Sequence, residues 1–435
     1  MSKRDPIAGP QGVAAPGCAC DPPLVTTVAA PWWVRPGLDV GPDGRLQIAG
    51  RDAEHLAREH GTPLFVYDRA RFGENARHLQ SAVAVTGLPF RLRFALKANP
   101  DPRLLRALRE LGAPGTPESV GIDACSPGEV LRALECGWTP DEISYTGTNV
   151  SERDLDVVLA HGIHVNLDGI SQVERYGRRS PGSRIGLRID PATGAGYNAH
   201  LEYSGAAPSK FGIALGRLDQ ALAVVSRHDL AVDTIHVHAG SGWLGDGIPA
   251  FEAALEPVVE AVDRVRAAGH AITEINVGGG LGVPARVEEA PVDLDAYAAV
   301  LARHLGPLDV TVAAEPGDYI AKDTAIQLSE VVSVEDRRGV RFVGLDMGWN
   351  INNAYFIYRF AQEFVVCRAA DAARTERVTI AGHINEASDV FAEDYPMPPV
   401  AEGDVVALLN AGGYHQAMSS THCLRPMAEA LVLDR

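Results

Sequence analysis

The stretch RLRFALKANP, residues 91–100, places a lysine where an apolar strand meets a turn. Phe94 and Leu96 are typical of the end of a buried strand, and the following Asn-Pro pair ends it. The chain contains four lysines, namely Lys3, Lys97, Lys210 and Lys322. Taken alone, the stretch is compatible with a Lys97 side chain that covers apolar surface and keeps its ammonium in water. The rest of the chain decides whether Lys97 does more.

From this stretch onward, short runs rich in Val and Ile alternate with helical segments rich in Ala, Leu and Arg. The predicted strands are residues 93–98, 120–126, 142–147, 164–169, 184–190, 234–240, 274–280 and 309–317. Eight strands that alternate with helices predict a (β/α)8 TIM-like barrel. An open doubly wound sheet is the alternative fold, but no GxGxxG motif follows the first strand.

The pattern changes after residue 317, where strands follow one another with short connections. We therefore predict four parts. Residues 1–36 form a disordered tail rich in Pro and Gly, and residues 37–66 supply strands that join a β-rich domain. Residues 67–317 form the cofactor-binding barrel, and residues 318–435 form the β-rich domain itself.

The composition limits the class of protein. The 435 residues are 46% hydrophobic and 22% charged, with a formal net charge of −17, so neither a nucleic acid nor an anionic membrane is predicted as a partner. No apolar run approaches the roughly 20 residues of a membrane span. The N-terminus lacks the apolar core of a secretion signal, and the six cysteines show no paired spacing. These features predict a cytoplasmic protein without a zinc site.

The carboxyl ends of the predicted strands carry an unusual set of side chains. Active sites of such barrels lie at that face. Reading the ends in order gives Lys97, Asp123, Gly147, Asp168, Arg188, His238, the triplet Gly278, Gly279 and Gly280, and Glu315. Packing alone gives no reason to collect so many charged groups on one rim of a barrel.

These groups suit one cofactor. A lysine in an apolar rim has a lowered pKa and can form a Schiff base with an aldehyde. The glycine triplet can present N–H groups to a phosphate, and His238 can stack on a planar ring. Glu315 can hold a heterocyclic nitrogen protonated. Together they predict pyridoxal 5′-phosphate.

His236 and His238 form an HxH pair, which is the spacing by which metal-dependent barrel hydrolases place two ligands. Residues i and i+2 of a strand share a face, so both rings could point inward. However, the rim offers no other histidine, and the pair lies on the sixth strand rather than the first. No metal is therefore predicted.

Several motifs occur together in one order: FALKAN, SPGEV, SKFGI (209–213), HVHAGSG, GGGLG, EPG, NEASD and GGYHQAMSS. From about residue 60 to the C-terminus, the chain thereby resembles the fold type III (alanine-racemase-like) pyridoxal-phosphate decarboxylases. It is most similar to meso-diaminopimelate decarboxylase, and ornithine decarboxylase is more distant.

The resemblance implies a role for each matching residue. Catalytic roles fall to Lys97, His238, Asn385 and Glu386. Cofactor contacts fall to Lys97, Asp123, Arg188, His238, Ser241, Gly278, Gly279, Gly280, Glu315, Gly317 and Tyr414. Substrate contacts fall to Asp318, Tyr358, Asn385, Glu386 and Tyr414. It also implies a homodimer in which residues 382–389 of one subunit approach Lys97 of the other, so that the β-rich domain completes the partner's site.

The chain departs from the family at three positions. Asn385 stands where the family has a cysteine that directs protonation, so Lys97 or His383 is the candidate proton donor. The family's EPGR is EPGD here, with Asp318 in place of arginine, and Ala354 occupies the position of a second arginine. In meso-diaminopimelate decarboxylase the two arginines help to recognise the distal carboxylate, which Asp318 would repel.

We therefore predict α-decarboxylation of an amino acid that lacks the distal carboxylate, in specialised metabolism. Two alternatives remain at this point. Arg359, next to Tyr358, could replace the lost arginines and leave a true meso-diaminopimelate decarboxylase that makes L-lysine. A racemase or epimerase on the same scaffold would cleave Cα–H instead and would need acid–base groups on both faces. Whether the amino acid is free or tethered to a carrier protein stays open.

Overall fold

The computed structural model describes residues 31–199, 201–202 and 208–435. Residues 1–30, most of the predicted tail, lie outside the described residues. Within residues 31–36, Trp33 is buried in an apolar cluster, and Arg35 Nη2 donates to the carbonyl oxygen of Asp323 at 2.7 Å. No helix in the described part of the chain is both long and apolar enough to cross a membrane.

The described part of the chain begins with small elements that pack against strands of the second domain, which is described below. They are the antiparallel strands β1 (Leu38–Val40), β2 (Leu46–Ile48) and β3 (Arg51–Asp52), helix α1 (Ala53–His60) and strand β4 (Leu64–Asp68). The side chain of Asp52 accepts from the backbone N–H of His55 and caps α1. Strand β4 leads directly into the first helix of the barrel.

Parallel strands alternate with helices over the next 250 or so residues. The strands are β5 (Phe90–Ala95), β6 (Val120–Ala124), β7 (Ile143–Tyr145), β8 (His164–Leu167), β9 (Arg184–Asp190), the short β10 (Ile213–Ala214), β11 (Ala231–His236), β12 (Glu274–Asn276) and β13 (Thr311–Ala314). The helices are α2 (Arg69–Ala84), α3 (Pro102–Arg109), α4 (Pro127–Glu135), α5 (Glu152–Ala160), α6 (Ile170–Arg179), α7 (Leu218–Arg227), α8 (Ile248–Ala267) and α9 (Leu294–Leu305).

The sheet closes on itself. Its order is β5-β6-β7-β8-β9-β11-β12-β13, and β13 pairs in parallel with β5, while β10 adds to the edge of β9. All eight predicted strands are present, and the predicted barrel is confirmed. The interior is apolar along most of its length, with a buried bidentate ion pair between Arg93 and Glu274.

Short capped turns join the strands that carry the candidate residues to the helices that follow. After β5, the side chain of Asp101 accepts from the N–H of Arg103, and Pro102 opens α3. After β6, Ser126 caps α4 in the same way and Pro127 opens it. Lys97, in the turn after β5, and Asp123, near the end of β6, therefore lie at the same end of the barrel.

The second domain is a mixed β-sheet. It contains α10 (Asp318–Ala321), β14 (Ala325–Arg337), β15 (Val340–Leu345), α11 (Asn353–Tyr358), β16 (Phe364–Val366), β17 (Glu376–Ala381), β18 (Val390–Met397), β19 (Val405–Leu408) and β20 (Glu429–Leu433). The order is β16-β19-β14-β15-β17-β18. Strand β4, from the start of the chain, pairs antiparallel with β14 and parallel with β20.

Candidate active site

A cavity of about 310 Å³ opens at the carboxyl ends of the barrel strands, at the lower limit of the volumes usual for ligand pockets. Its walls contain most of the residues that the sequence singled out, namely Lys97, Asp123, Arg188, His238, Ser241, Gly279, Gly280, Glu315, Gly317, Asp318, Tyr358 and Tyr414. Gly278 lies directly behind the ring of His238. The fold therefore gathers side chains from at least six strands at one place.

Lys97 extends into this cavity from the first turn after β5. It is part of a 3₁₀ turn, Leu96–Ala98, and both neighbouring side chains are buried. Asp123, at the end of β6, is buried, and its Oδ1 atom has no hydrogen-bond partner in the described part of the chain. Burial, followed by the nearby carboxylate of Glu315, raises the pKa of Asp123 well above its ordinary value.

Glu315 lies at the end of β13, at the centre of a buried network. Its Oε2 atom is 3.0 Å from Nε2 of His236, and its Oε1 atom accepts from Nδ2 of Asn276. Burial alone would raise the pKa of Glu315, but His236, Arg93 and Asn276 outweigh it and hold the pKa at about 2. Glu315 is therefore an anion at neutral pH. One ring nitrogen of His236 is committed to it, which accounts for the HxH pair without a metal.

His238 presents a flat, neutral ring. The residue is half-buried, and its pKa lies well below the ordinary value because of desolvation and, after that, the charges of Lys97 and Arg188. A Cβ atom on Gly278 would come within 3.0 Å of the His238 ring. Glycine at position 278, with φ of +68°, therefore lets the ring pack against the backbone of the following turn.

The glycine turn that follows β12 has no room for side chains. A Cβ atom on Gly279 would overlap the carbonyl oxygen of Glu315, and one on Gly280 would meet the indole nitrogen of Trp243. That indole N–H is buried and lacks a hydrogen-bond partner among the described residues. Backbone N–H groups held close together in this way, beside Ser241 and Tyr414, suit a phosphate group.

The cavity also contains some of the residues expected to meet the substrate. Asp318 begins α10 and Tyr358 ends α11, and both line the cavity. Ala354 is buried and Arg359 is exposed, and neither contributes to the wall. Tyr197 and Lys322 contact Asp318 from behind, and no sequence motif pointed to either of them.

Several other wall residues were missed as well: Ala95, Cys125, Thr146, Thr148 and Phe211. Cys125 stands two residues after Asp123, so alternation along the strand could have identified it. Thr146 and Thr148 flank Gly147 at the end of β7, and Phe211 lies in the SKFGI motif.

Asn385 and Glu386 lie away from the cavity. Both are exposed, in the loop between β17 and β18, and neither lines the cavity. Glu386 Oε1 is 3.6 Å from Nε2 of His422, and His422 stacks on Trp349 with 4.7 Å between ring centroids. His383 is half-buried, and its Nε2 atom has no hydrogen-bond partner in the described ranges.

Comparison with known proteins agrees with this site. Residues 70–322 match the family described as pyridoxal-dependent decarboxylase, pyridoxal binding domain. The chain belongs to this family. The predicted resemblance is thereby confirmed, as are the pyridoxal-phosphate cofactor and the class of enzyme, an amino-acid decarboxylase.

Individual relatives match this decarboxylase over nearly its whole length. Diaminopimelate decarboxylase of Methanothermobacter thermautotrophicus is 36% identical over 409 residues, which are 92% of this chain and 93% of the relative. That of Escherichia coli strain K12 is 32% identical over 410 residues, 88% and 92% of the two chains. The crystal structure of diaminopimelate decarboxylase from Helicobacter pylori complexed with L-lysine superposes with a TM-score of 0.78 at 26% identity, covering 87% and 93% of the two chains.

Proposed function

We propose that this decarboxylase removes the α-carboxylate of an amino acid whose distal end carries no carboxylate. One observation carries the proposal. Asp318 forms the wall of the cavity where the resemblance expects an arginine, and Ala354, at the second expected arginine, is buried away from the cavity. A carboxylate brought to this wall would meet another carboxylate instead of a guanidinium fork.

True meso-diaminopimelate decarboxylation is the second candidate. The names of the relatives and their identity over about nine-tenths of the chain favour it. It requires another cation in place of the two arginines. Arg359, the candidate from the sequence, is exposed and outside the cavity wall, at the left-handed residue that ends α11. The first proposal therefore agrees better with the geometry of the wall.

The site residues fit the cofactor in the following roles. Pyridoxal phosphate supplies an aldehyde that takes up an amine and a ring that withdraws electrons from Cα as the carboxylate leaves. Lys97 would hold the aldehyde carbon. Glu315, an anion at neutral pH, would keep a proton on the ring nitrogen, and the neutral ring of His238 would cover one face.

The remaining contacts hold the two ends of the cofactor. Gly279, Gly280, Ser241 and Tyr414 would donate to the phosphate oxygens, whereas the N–H of Gly278 donates to Oδ1 of Asn276 at 3.0 Å. Gly317 lets the Tyr414 hydroxyl approach the barrel, because a Cβ there would lie 2.8 Å from it. Asp123 and Arg188 lie on the wall near Lys97. Lys97 would also be one group that could return a proton to Cα of the substrate.

We further propose a homodimer with shared sites, in which residues 318–435 complete the barrel of residues 67–317 in the other subunit. Its support is that Asn385 and Glu386 are exposed and outside the cavity of their own subunit. A two-fold axis would bring each loop to the partner's cavity. Glu386, together with His383 as a second candidate proton donor, would then face the partner's Lys97.

The function is tested by measuring carbon dioxide release from meso-diaminopimelate, lysine, ornithine and arginine with the cofactor-loaded enzyme. We expect release from at least one substrate without a distal carboxylate and little from meso-diaminopimelate. Chiral analysis of the recovered amino acid runs alongside, because a racemase would invert Cα without releasing carbon dioxide. Efficient turnover of meso-diaminopimelate would overturn the proposal and establish the second candidate.

A further inference from the structure

Lys322 is an unusual residue beneath the distal end of the cavity. Its side chain is only 1% exposed, and it does not line the cavity. Its Nζ atom donates to the hydroxyl of Tyr197 at 2.7 Å and lies 3.9 Å from the Tyr197 ring centroid and 4.1 Å from that of Phe360. Two aromatic faces and a hydroxyl thus surround a buried ammonium, which compensates part of its lost hydration.

The hydroxyl of Tyr197 connects Lys322 to Asp318. It accepts from Nζ of Lys322 and from the N–H of Val283 at 2.8 Å, so its own proton is left to donate. The carboxylate Oδ2 of Asp318, at 2.6 Å, is a stronger acceptor than the carbonyl oxygen of Val283 at 3.0 Å. Lys322 Nζ lies 3.5 Å from the same Oδ2 atom. Both neighbours therefore act on one oxygen.

The other oxygen of Asp318 is left for the cavity. Asp318 lines the cavity, and Oδ1 has no hydrogen-bond partner among the residues that the structure describes. Asp318 and Lys322 are four residues apart, on one face of α10 and the turn after it. Lys322 thus pairs with Oδ2 of Asp318 from behind the cavity wall, while the other carboxylate oxygen is what a substrate would meet.

We propose that Asp318 Oδ1 binds a distal ammonium group of the substrate, and that Lys322 and Tyr197 are positioning residues that hold Oδ2. The inference rests on the proposed function and makes it more specific: the substrate is an α,ω-diamino acid such as lysine or ornithine. An ammonium at Oδ1 gains a charge-assisted hydrogen bond. A distal carboxylate would gain none there, because Lys322 is shielded by Tyr197 and Phe360.

The test compares two probes that differ only in the distal amine, 1,5-diaminopentane and 1-aminopentane. Calorimetry on the cofactor-loaded enzyme measures their affinities. We expect the diamine to bind about 10- to 100-fold more tightly, which corresponds to one hydrogen bond between charged groups. Asp318→Asn should remove this preference and raise KM for the diamino acid by a similar factor with little change in kcat. Equal affinity of the two probes for the wild-type enzyme would overturn the inference.

The positioning role has its own readout. Lys322→Met and Tyr197→Phe keep the volume of the side chains but release Oδ2, so the diamine preference should fall about 3- to 10-fold in each. A variant with lower thermal stability and the full preference would show that Lys322 has a structural role only. Asp219→Asn is the matched control, because its side chain is 83% exposed on α7, and it should keep the wild-type preference.

The outcomes separate this inference from the proposed function. Turnover of meso-diaminopimelate overturns the proposed function and the substrate class named here; because that substrate also carries a distal ammonium, the role of Asp318 is decided by the two probes. Turnover of a substrate without a distal carboxylate, combined with equal binding of the two probes, retains the proposed function and overturns only the role of Asp318. The wild-type comparison of probes needs no variant, so it decides the question even where Lys322→Met does not fold.

Discussion

The two ends of the cavity differ in how closely they follow the family. At the cofactor end, Lys97, His238, Glu315 and the glycine triplet all match the family motifs, and the backbone packs around them too closely for most substitutions. At the distal end, an arginine has become Asp318, supported by Lys322 from behind. The cofactor end would contact the part of the substrate that all substrates of the family share. The distal end would contact the side-chain group by which they differ. This difference is the basis of our proposal that the chemistry of the family is retained while the substrate differs.

The largest expected effect concerns the cofactor end. Lys97→Ala should remove the visible absorbance of the lysine-bound cofactor and lower turnover by more than about 10³-fold, because no other lysine lines the cavity among the described residues. Absorbance spectra and carbon dioxide release measure the two effects. Arg227→Ala, which removes an exposed cation from α7, is the control and should change neither. Retention of both the absorbance and the activity in Lys97→Ala would contradict the assignment of Lys97 as the residue that binds the cofactor's aldehyde.

The second prediction concerns Glu315 and distinguishes the cofactor end of the cavity from the distal end. Glu315→Gln removes the anion that would hold the proton on the ring nitrogen, so kcat should fall about 100-fold for every substrate. Because Glu315 does not meet the substrate's distal group, the ratio of kcat/KM between two substrates should stay unchanged. Asp318→Asn should instead change the ratio of kcat/KM between the two substrates and leave kcat nearly unchanged. Steady-state kinetics with two substrates distinguishes the two variants. A changed ratio of kcat/KM in Glu315→Gln would contradict the separation of the cavity into a cofactor end and a distal end.

The third prediction concerns which subunit supplies each end. Lys97→Ala and Glu386→Gln subunits, each nearly inactive alone, should regain about a quarter of wild-type activity when dissociated and reassembled together, since half of the dimers are hybrids with one intact site. Lys97→Ala mixed with Glu315→Gln is the matched control and should regain nothing, because both residues lie on one barrel. No recovery in the first mixture would contradict the shared site.

The smallest effect concerns a residue that supports both ends. His415 follows Tyr414, donates from Nδ1 to the carbonyl of Gly413 at 2.9 Å and lies 6.0 Å from the Phe360 ring. Burial lowers the pKa of His415 to about 4, from about 6.5 in the unfolded chain. Between these two pH values the unfolded chain binds a proton at His415 and the folded chain does not. The contribution of His415 to the free energy of unfolding is therefore complete above pH 6.5 and falls as the pH drops towards 4, by about 3 kcal/mol in all.

His415→Gln should lack this part of the pH dependence. Urea unfolding of the wild-type protein and the variant at several pH values, at one fixed subunit concentration, measures the difference. The other titrating groups are common to both proteins and cancel. Equal slopes of the free energy of unfolding against pH would show that His415 is not held neutral by its surroundings.

Much of the cofactor end could be predicted from the sequence. Lys97 and Asp123 follow strands whose apolar pattern is plain, and the ends of parallel strands must meet at one face of a barrel. The partners of Glu315 could not be predicted in the same way. His236 was considered as a metal ligand, yet its ring lies 3.0 Å from Glu315, 79 residues away in the chain. Sequence spacing places a side chain on a strand but does not select its partner across the barrel.

By itself, the sequence determined the eight βα units and the set of groups at their ends, because strand periodicity, turn residues and glycine requirements are local properties. Only the tertiary structure decided what surrounds Asp318. Tyr197 reaches it from the loop after β9, Lys322 from the turn after α10 and Phe360 from the β-rich domain. Such a buried cluster depends on how distant segments pack, and a charge read from the sequence does not reveal whether another charge already compensates it.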